Sequence, residues 1–161
     1  LDVFLGYEAG YKGTEFLIYG VDEDWLSTHE EIRDATIEEQ YSLIKAAGGM
    51  VIHAHPFREE WYIPEIRLFP EYVDGVEALN ATHIKVHNHP EFDERAINYA
   101  GRYGLPMTAG SDAHGTTMHG GGVAFKRRIR SIKDYCNAVM SGEDYLMTNG
   151  IDWFDRQGKK I

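Results

Sequence analysis

The sequence predicts an α/β fold with mostly parallel strands, and three observations support this prediction. A pattern of amphipathic helix, glycine and short apolar strand occurs three times along the chain, and such alternation is typical of α/β proteins. Polar side chains directly follow several of the predicted strands. The chain has 161 residues, of which 43% are hydrophobic, and this is enough for one compact domain with a core. We therefore expect residues 1–161 to form a single domain.

The chain opens with two predicted strands. Apolar and polar residues alternate over residues 1–8, which is typical of a half-buried strand, and this strand ends at Glu8. The turn formers Lys12 and Gly13 follow, and residues 15–19 are predicted to form a second strand beside the first. The charged stretch 22–34 has no clear period and is expected to be a surface loop or a short helix.

The first helix-to-strand unit has clear start and stop signals. Thr36 and Glu39 have the spacing of a capping box, in which each side chain bonds to the backbone N–H of the other residue. Gly48 ends the apolar stripe and predicts the helix C-terminus. Residues 50–52 form the next predicted strand, and a separate strand is predicted over residues 73–79.

Two further units follow the same plan. The second helix begins beside Pro90 and ends at Gly104, and a strand is predicted over residues 105–108. The third helix begins at Ser131, its apolar residues lie on one face, and it leads to a strand at residues 145–147. If each helix connects parallel strands, the carboxyl ends of those strands lie at one edge of the sheet.

Polar clusters stand at these predicted carboxyl ends, where α/β proteins bind their ligands. Asp112 and His114 are two residues apart, so an extended backbone would point both side chains to one side. Imidazole nitrogens suit zinc, iron and manganese, and carboxylates suit harder ions and can bridge two of them. We therefore predict a metal centre with ligands drawn from six residues: Glu8, His53, His55, His83, Asp112 and His114.

Each candidate also has a structural interpretation. His53 could be a hydrogen-bonded core histidine, and Glu8 could be a surface acid at a strand end. Asn80 and Asp112 are common turn formers, so either could shape the chain after a strand. The remaining histidines are given no ligand role and are expected to cap a helix or face solvent: His29, His87, His89 and His119.

Two residues are predicted to contact a substrate. Arg58 follows His55 closely and is the cation best placed to bind a phosphate bidentately. Asn80 lies at the end of the neighbouring strand. The basic run 126–130 is expected to be a solvated face, although in an acidic protein it could attract an anion. The glycines at 120–122 lack the context of a nucleotide-binding loop and predict a mobile loop.

Charge and composition exclude several classes of protein. The 26 acidic and 16 basic residues give a formal charge of -10, which repels a phosphate backbone and argues against general nucleic-acid binding. The single cysteine, Cys136, cannot form an internal disulfide and is compatible with a reducing cytoplasm. No apolar run approaches the roughly 20 residues of a membrane span, and no secretion signal is visible. We expect a cytoplasmic protein.

Four short segments together resemble the PHP family, the polymerase and histidinol phosphatase domain. They are Gly-Tyr-Glu at residues 6–8, Ile-His-Ala-His-Pro at 52–56, Gly-Val-Glu-Ala-Leu-Asn at 75–80 and Ala-Gly-Ser-Asp-Ala-His at 109–114. The resemblance extends over residues 6–145, and its last segment is the most specific. It implies a distorted (β/α)7 TIM-like barrel, present here as an N-terminally incomplete barrel that corresponds to the C-terminal two-thirds of the domain.

The resemblance also implies a site with two or three divalent ions, zinc, manganese or iron. It makes Glu8 a bridging ligand, His55 a ligand in its His-Pro motif, and Asp112 and His114 the closing pair of ligands. The family's upstream His-x-His strand is not among these residues, and Phe16 stands where some members carry a histidine. Treating the histidines of residues 53–55 as that strand is rejected, because a glutamate strand precedes them.

The function that follows is a metal-dependent phosphoesterase that hydrolyses a small phosphate ester with metal-activated water. Asp112 or His114 is expected to relay protons. Two alternatives stay open: a degenerate, non-catalytic PHP-fold module for binding or regulation, and an amidohydrolase-type activity at the same centre. Assembly into a homo-oligomer is compatible with the sequence.

Overall fold

Two β-sheets organise the chain in the computed structural model, which describes residues 2–117 and 119–161. The five-stranded sheet has the order β1-β2-β3-β4-β5, and the three-stranded sheet has the order β6-β7-β8. The strands are β1 (Gly6–Tyr11), β2 (Thr14–Tyr19), β3 (Met50–Ala54), β4 (Gly75–Asn80), β5 (Met107–Gly110), β6 (Gly121–Phe125), β7 (Tyr145–Asn149) and β8 (Trp153–Asp155).

Five α-helices and one short 3-10 helix connect these strands in the described residues. The α-helices are α1 (Glu23–Thr28), α2 (Ile37–Ala46), α3 (Ala81–Lys85), α4 (Glu91–Tyr103) and α5 (Ile132–Met140), and the 3-10 helix spans Glu30–Arg33. None of the helices in the described ranges is both long and apolar enough to cross a membrane.

The predicted (β/α)7 barrel is wrong, both as a closed barrel and as a partial one. Strands β3, β4 and β5 are parallel, but β1 pairs antiparallel with β2 and β2 antiparallel with β3. The two-residue turn Lys12-Gly13 joins β1 to β2, and both residues have positive φ, 52° and 85°. A turn of this kind makes a hairpin, so the chain reverses here instead of crossing over to a parallel strand.

The third helix-to-strand unit also differs from the prediction. Helix α5 lies between β6 and β7, yet these two strands are antiparallel, and so are β7 and β8. The helix buries Cys136 and Val139 against Met50 and Ile52 of β3. Because α5 covers the first sheet, β7 does not continue the parallel order of β3 to β5.

Other local predictions are confirmed. The capping box of Thr36 and Glu39 starts α2, and this helix packs Ile44 against Phe16 and Val51. Ser131 caps α5 through the Asp134 backbone N–H. These boundaries depend on side chain to backbone hydrogen bonds a few residues apart, so the sequence is sufficient to predict them.

Some boundaries were predicted wrongly. The first strand begins at Gly6, and Leu1, where it was predicted to begin, lies outside the described residues. The glycines at 120–122 were predicted as a loop, but β6 begins at Gly121. Within the part of the chain that the structure describes, no side chain caps α4, whose N-cap is Pro90, so the expected capping by a histidine is also wrong.

Helix α4 covers the parallel part of the first sheet. Its buried residues Ala96, Tyr99 and Ala100 pack with Val76 and Leu79 of β4. The apolar stripe predicted from the sequence therefore faces the core as expected. This packing sets the first turn of α4 beside the carboxyl end of β4, where the predicted site begins.

The start of β6 lies unusually close to the end of β5. A Cβ at Gly121 would lie 1.9 Å from the Gly110 carbonyl oxygen. Ser111 connects the same segments, because its hydroxyl lies 3.0 Å from both the backbone N and the backbone O of Gly121. The two sheets therefore meet at a position that only glycine fits.

Gly121→Ala is expected to lower the free energy of unfolding by about 1–3 kcal/mol, because the backbone must shift to make room for the methyl group. Gly101→Ala is the control, since a Cβ at this position in α4 meets nothing within 4 Å. It should stabilise the protein by about 0.5–1 kcal/mol. Urea unfolding of both variants measures these changes, and a Gly121→Ala midpoint at or above that of the unmodified protein would contradict the packing.

Candidate metal centre

Glu8, Glu15 and His55 bring three potential ligand atoms together at the first sheet. These atoms all lie within 4.8 Å of one another. His55 Nε2 is 3.2 Å from Glu8 Oε1 and 3.5 Å from Glu15 Oε2. The imidazole is buried, whereas the Glu8 and Glu15 side chains remain 38% and 29% exposed. One nitrogen and two carboxylates that converge in this way form a donor set suited to a divalent transition metal.

The β1–β2 hairpin places the two carboxylates. Glu8 pairs with Leu17 and Gly10 pairs with Glu15, so the glutamates are diagonal neighbours on one face of the hairpin. Glu15 also pairs with Ala54 on β3, the residue before His55. Glu15 is not among the ligands predicted from the sequence. The Lys12-Gly13 turn was the signal that could have identified it, because a two-residue turn fixes the register of both strands.

His55 sits at the end of β3 in an unusual backbone conformation. Its φ is +23°, a value that a residue with a Cβ adopts at an energetic cost. Its backbone N–H donates to Glu77 Oε2 at 3.1 Å. The buried Glu77 carboxylate therefore accepts a hydrogen bond from the His55 backbone N–H, which lies beyond the last residue of β3.

Glu77 is a buried carboxylate that touches the ends of three strands. It accepts hydrogen bonds from the His55 backbone on β3 and from Asn80 Nδ2 on β4, both at 3.1 Å. A Cβ at Gly110, on β5, would lie 2.2 Å from Glu77 Oε1. Burial raises the pKa of the Glu77 carboxyl, although the nearby His55 and the hydrogen bonds from Asn80 and His55 oppose this shift.

Asp112 follows β5 and pairs with Arg58. The Arg58 guanidinium bonds to Asp112 Oδ2 and also donates to Thr82 Oγ1 at 3.2 Å. Burial alone would raise the pKa of Asp112, but the Arg58 cation outweighs it and keeps that pKa below its ordinary value. Asp112 is therefore an ionised carboxylate beside the end of β4.

His114 lies near Asp112 but not in the extended arrangement that was predicted. Strand β5 ends at Gly110, and Asp112 has a φ of +49°. The His114 side chain is 72% exposed, and its Nδ1 is 3.5 Å from Asp112 Oδ1. The two residues are neighbours because the chain turns at Asp112, not because they share a strand face.

His83 is fully buried in α3. Its Nδ1 is 2.7 Å from Asp93 Oδ1, and within residues 2–117 and 119–161 its Nε2 has no hydrogen-bond partner. The ring lies 6.5 Å from the His55 ring, measured between centroids. His83 is therefore close to the Glu8–Glu15–His55 cluster without being one of its three members.

His53 lies in an aromatic part of the core. Its ring stacks on Phe16, with centroids 5.2 Å apart, and meets Tyr99 edge to face at 6.0 Å. Burial lowers the pKa of His53 to about 3, so the imidazole is neutral. His53 therefore packs as a core residue, and among the described residues its Nδ1 has no hydrogen-bond partner.

The two predicted substrate contacts are also buried. Asn80 caps α3 by accepting from the Thr82 backbone N–H, and its amide donates to Glu77. Arg58 binds Asp112 and Thr82 as described above. Glu77 and Thr82 bind both polar atoms of the Asn80 side chain, whereas Arg58 Nε is buried and has no hydrogen-bond partner among the described residues.

The basic run at residues 126–130 is largely neutralised by neighbouring acids. Arg127 pairs with Asp134 and Glu143, each at 2.8 Å, and Arg128 pairs with Asp2 at the same distance. This face is solvated and ion-paired, as the simpler interpretation of the sequence predicted.

Comparison with known families gives one informative match. Residues 90–143 match a family model described as PHP-associated, and this segment contains α4, β5, Asp112, His114, β6 and α5. Comparisons with curated proteins and with solved structures gave no match. The match confirms the resemblance predicted from the sequence and supports a relationship to the PHP family through residues 90–143.

Proposed function

We propose that this protein is a divalent-metal-dependent hydrolase that acts on a small phosphate ester. The observation that carries the proposal is the convergence of Glu8, Glu15 and His55 within 4.8 Å. The relation to the PHP family favours phosphate as the group that is hydrolysed. The formal charge of -10 supports the need for a local cation to attract such a substrate.

The donor set fits the metals that the family uses. One imidazole and two carboxylates suit zinc, manganese or iron, and we assign Glu8, Glu15 and His55 as the first ligands. His83, Asp112 and His114 are further candidates at the neighbouring strand ends. When bound there, a divalent ion polarises a phosphoryl oxygen and lowers the pKa of water near it.

The chain's own residues prepare this site. Glu77 fixes the His55 backbone, and the Arg58 guanidinium keeps Asp112 ionised. An ionised carboxylate can accept a proton from an attacking water. The exposed His114 beside it can exchange that proton with solvent.

A non-catalytic binding module is the second candidate. The Arg58–Asp112 ion pair favours it, because a predicted metal ligand already has a cationic partner within the protein. An amidohydrolase-type reaction would use the same three ligands, and comparing phosphate and amide substrates separates it from the phosphoesterase.

His55→Ala is expected to weaken binding of Mn²⁺ or Zn²⁺ by at least about tenfold, because it removes the single nitrogen ligand of the cluster. His29→Ala is the matched control, since His29 stacks on Trp25 at 4.2 Å and bonds to its carbonyl oxygen. Isothermal titration calorimetry and elemental analysis measure both variants. Equal losses in the two histidine variants would refute this location for the metal.

Asp112→Ala is expected to reduce hydrolysis of an aryl phosphate in Mn²⁺ by about 100-fold or more, because it removes the proton acceptor. Asp144→Ala, at an exposed residue paired with Lys126, should leave the rate unchanged. Steady-state kinetics of the two aspartate variants gives the comparison. A protein that binds metal but hydrolyses neither phosphate nor amide substrates would support the binding module instead.

A further inference from the structure

We propose that Asp93 is a positioning residue that fixes the tautomer of His83 and so presents the His83 Nε2 lone pair to a divalent metal. This inference rests on the proposed function and adds a residue that supports its site. Asp93 lies in the first turn of α4 and is buried. His83 lies in α3, ten residues earlier in the chain.

The contacts of Asp93 favour a proton on His83 Nδ1. Asp93 Oδ1 accepts from the Asn80 backbone N–H at 3.2 Å, and this donor cannot reverse its role. The same oxygen lies 2.7 Å from His83 Nδ1. With a proton on His83 Nδ1, Asp93 Oδ1 accepts both hydrogen bonds, which is the role of a carboxylate oxygen. In a neutral imidazole, Nε2 then carries a lone pair.

In the described part of the chain, two polar atoms of His83 and Asp93 are unpaired, and this argues against a purely structural role for the two residues. Among the described residues, neither His83 Nε2 nor Asp93 Oδ2 has a hydrogen-bond partner, and both atoms are buried. A buried polar atom without a partner costs free energy. An imidazole with a carboxylate on one nitrogen and a free lone pair on the other is the usual arrangement of a metal-binding histidine.

The position of the pair supports the same conclusion. The Asn80 backbone that binds Asp93 is at the carboxyl end of β4, and the Asn80 side chain binds Glu77, which in turn fixes His55. The His83 and His55 rings are 6.5 Å apart. Asp93 therefore links α4 to the strand edge that carries the candidate ligands.

The test uses NMR of the metal-free protein labelled with ¹⁵N-histidine at about pH 8, where an ordinary histidine is neutral. Two-bond ¹H–¹⁵N correlations distinguish the two neutral tautomers and the imidazolium. We expect His83 to be protonated at Nδ1 alone. His83 protonated at Nε2, or at both nitrogens, would overturn the proposal.

Variants of Asp93 provide a second measurement. Asp93→Ala should give His83 an Nε2–H and weaken Mn²⁺ or Zn²⁺ binding by about 10–100-fold. Asp93→Asn should restore most of that affinity, because the amide oxygen can still accept from Nδ1–H. If Asp93→Ala keeps the unmodified affinity, the proposal is wrong.

Asp74→Ala is the matched control, since Asp74 is another buried aspartate that accepts from a backbone N–H, that of Val51 at 2.9 Å. It should lose stability and leave both the His83 tautomer and the metal affinity unchanged. The tautomer is measured without metal, so it tests the role of Asp93 even if the protein binds no ion. If the Asp93→Ala variant does not fold, the tautomer of the unmodified protein and the Asp93→Asn affinity decide the question.

Discussion

The buried Glu77 carboxylate connects the three parallel strands at the edge where the candidate site lies. It accepts from the His55 backbone and from the Asn80 amide, and it fills the space that a side chain at Gly110 would need. Removing a carboxylate from water is costly unless hydrogen bonds compensate. These contacts therefore depend on one another. The Glu77 carboxylate needs its hydrogen-bond donors, and the His55 backbone needs the carboxylate to keep its unusual conformation. Without Glu77, the ends of β3 and β4 would lose their common partner.

The site is built from two different kinds of substructure. The hairpin β1–β2 contributes Glu8 and Glu15 through its register, and the parallel strands contribute His55 and Asp112 through the turns that follow them. The positive φ values of His55 and Asp112 occur where these strands end. Non-glycine residues in this conformation are uncommon and are often found at functional sites. These two positions of the sheet edge are thus both among the six residues that the sequence predicted as ligands.

Charge is arranged unevenly around this edge. Arg58 is the buried cation, and it is used within the protein by Asp112 and Thr82. The exposed arginines at residues 127 and 128 pair with acids at the surface, where such pairs contribute little to stability. The carboxylates of Glu8 and Glu15 remain partly open to solvent, which favours a cationic ligand beside them. An anionic substrate could approach these carboxylates only after such a cationic ligand had bound.

The sequence by itself determined the local features: the capping box of α2, the cap of α5, the apolar stripe of α4, the hairpin and most of the residues at the strand ends. Each depends on residues close together in the chain or on a regular period, so tertiary contacts were not needed to predict it. Only the tertiary structure decided the sheet order, the path of α5, the position of Glu15 beside His55 and the burial of Arg58, Asn80 and His53. A helix between two strands is compatible with several pairings, and the pairing depends on which apolar surface the helix covers. For α5 that surface is the first sheet at β2 and β3, and this packing is one reason why the repeated helix-to-strand pattern did not produce a barrel.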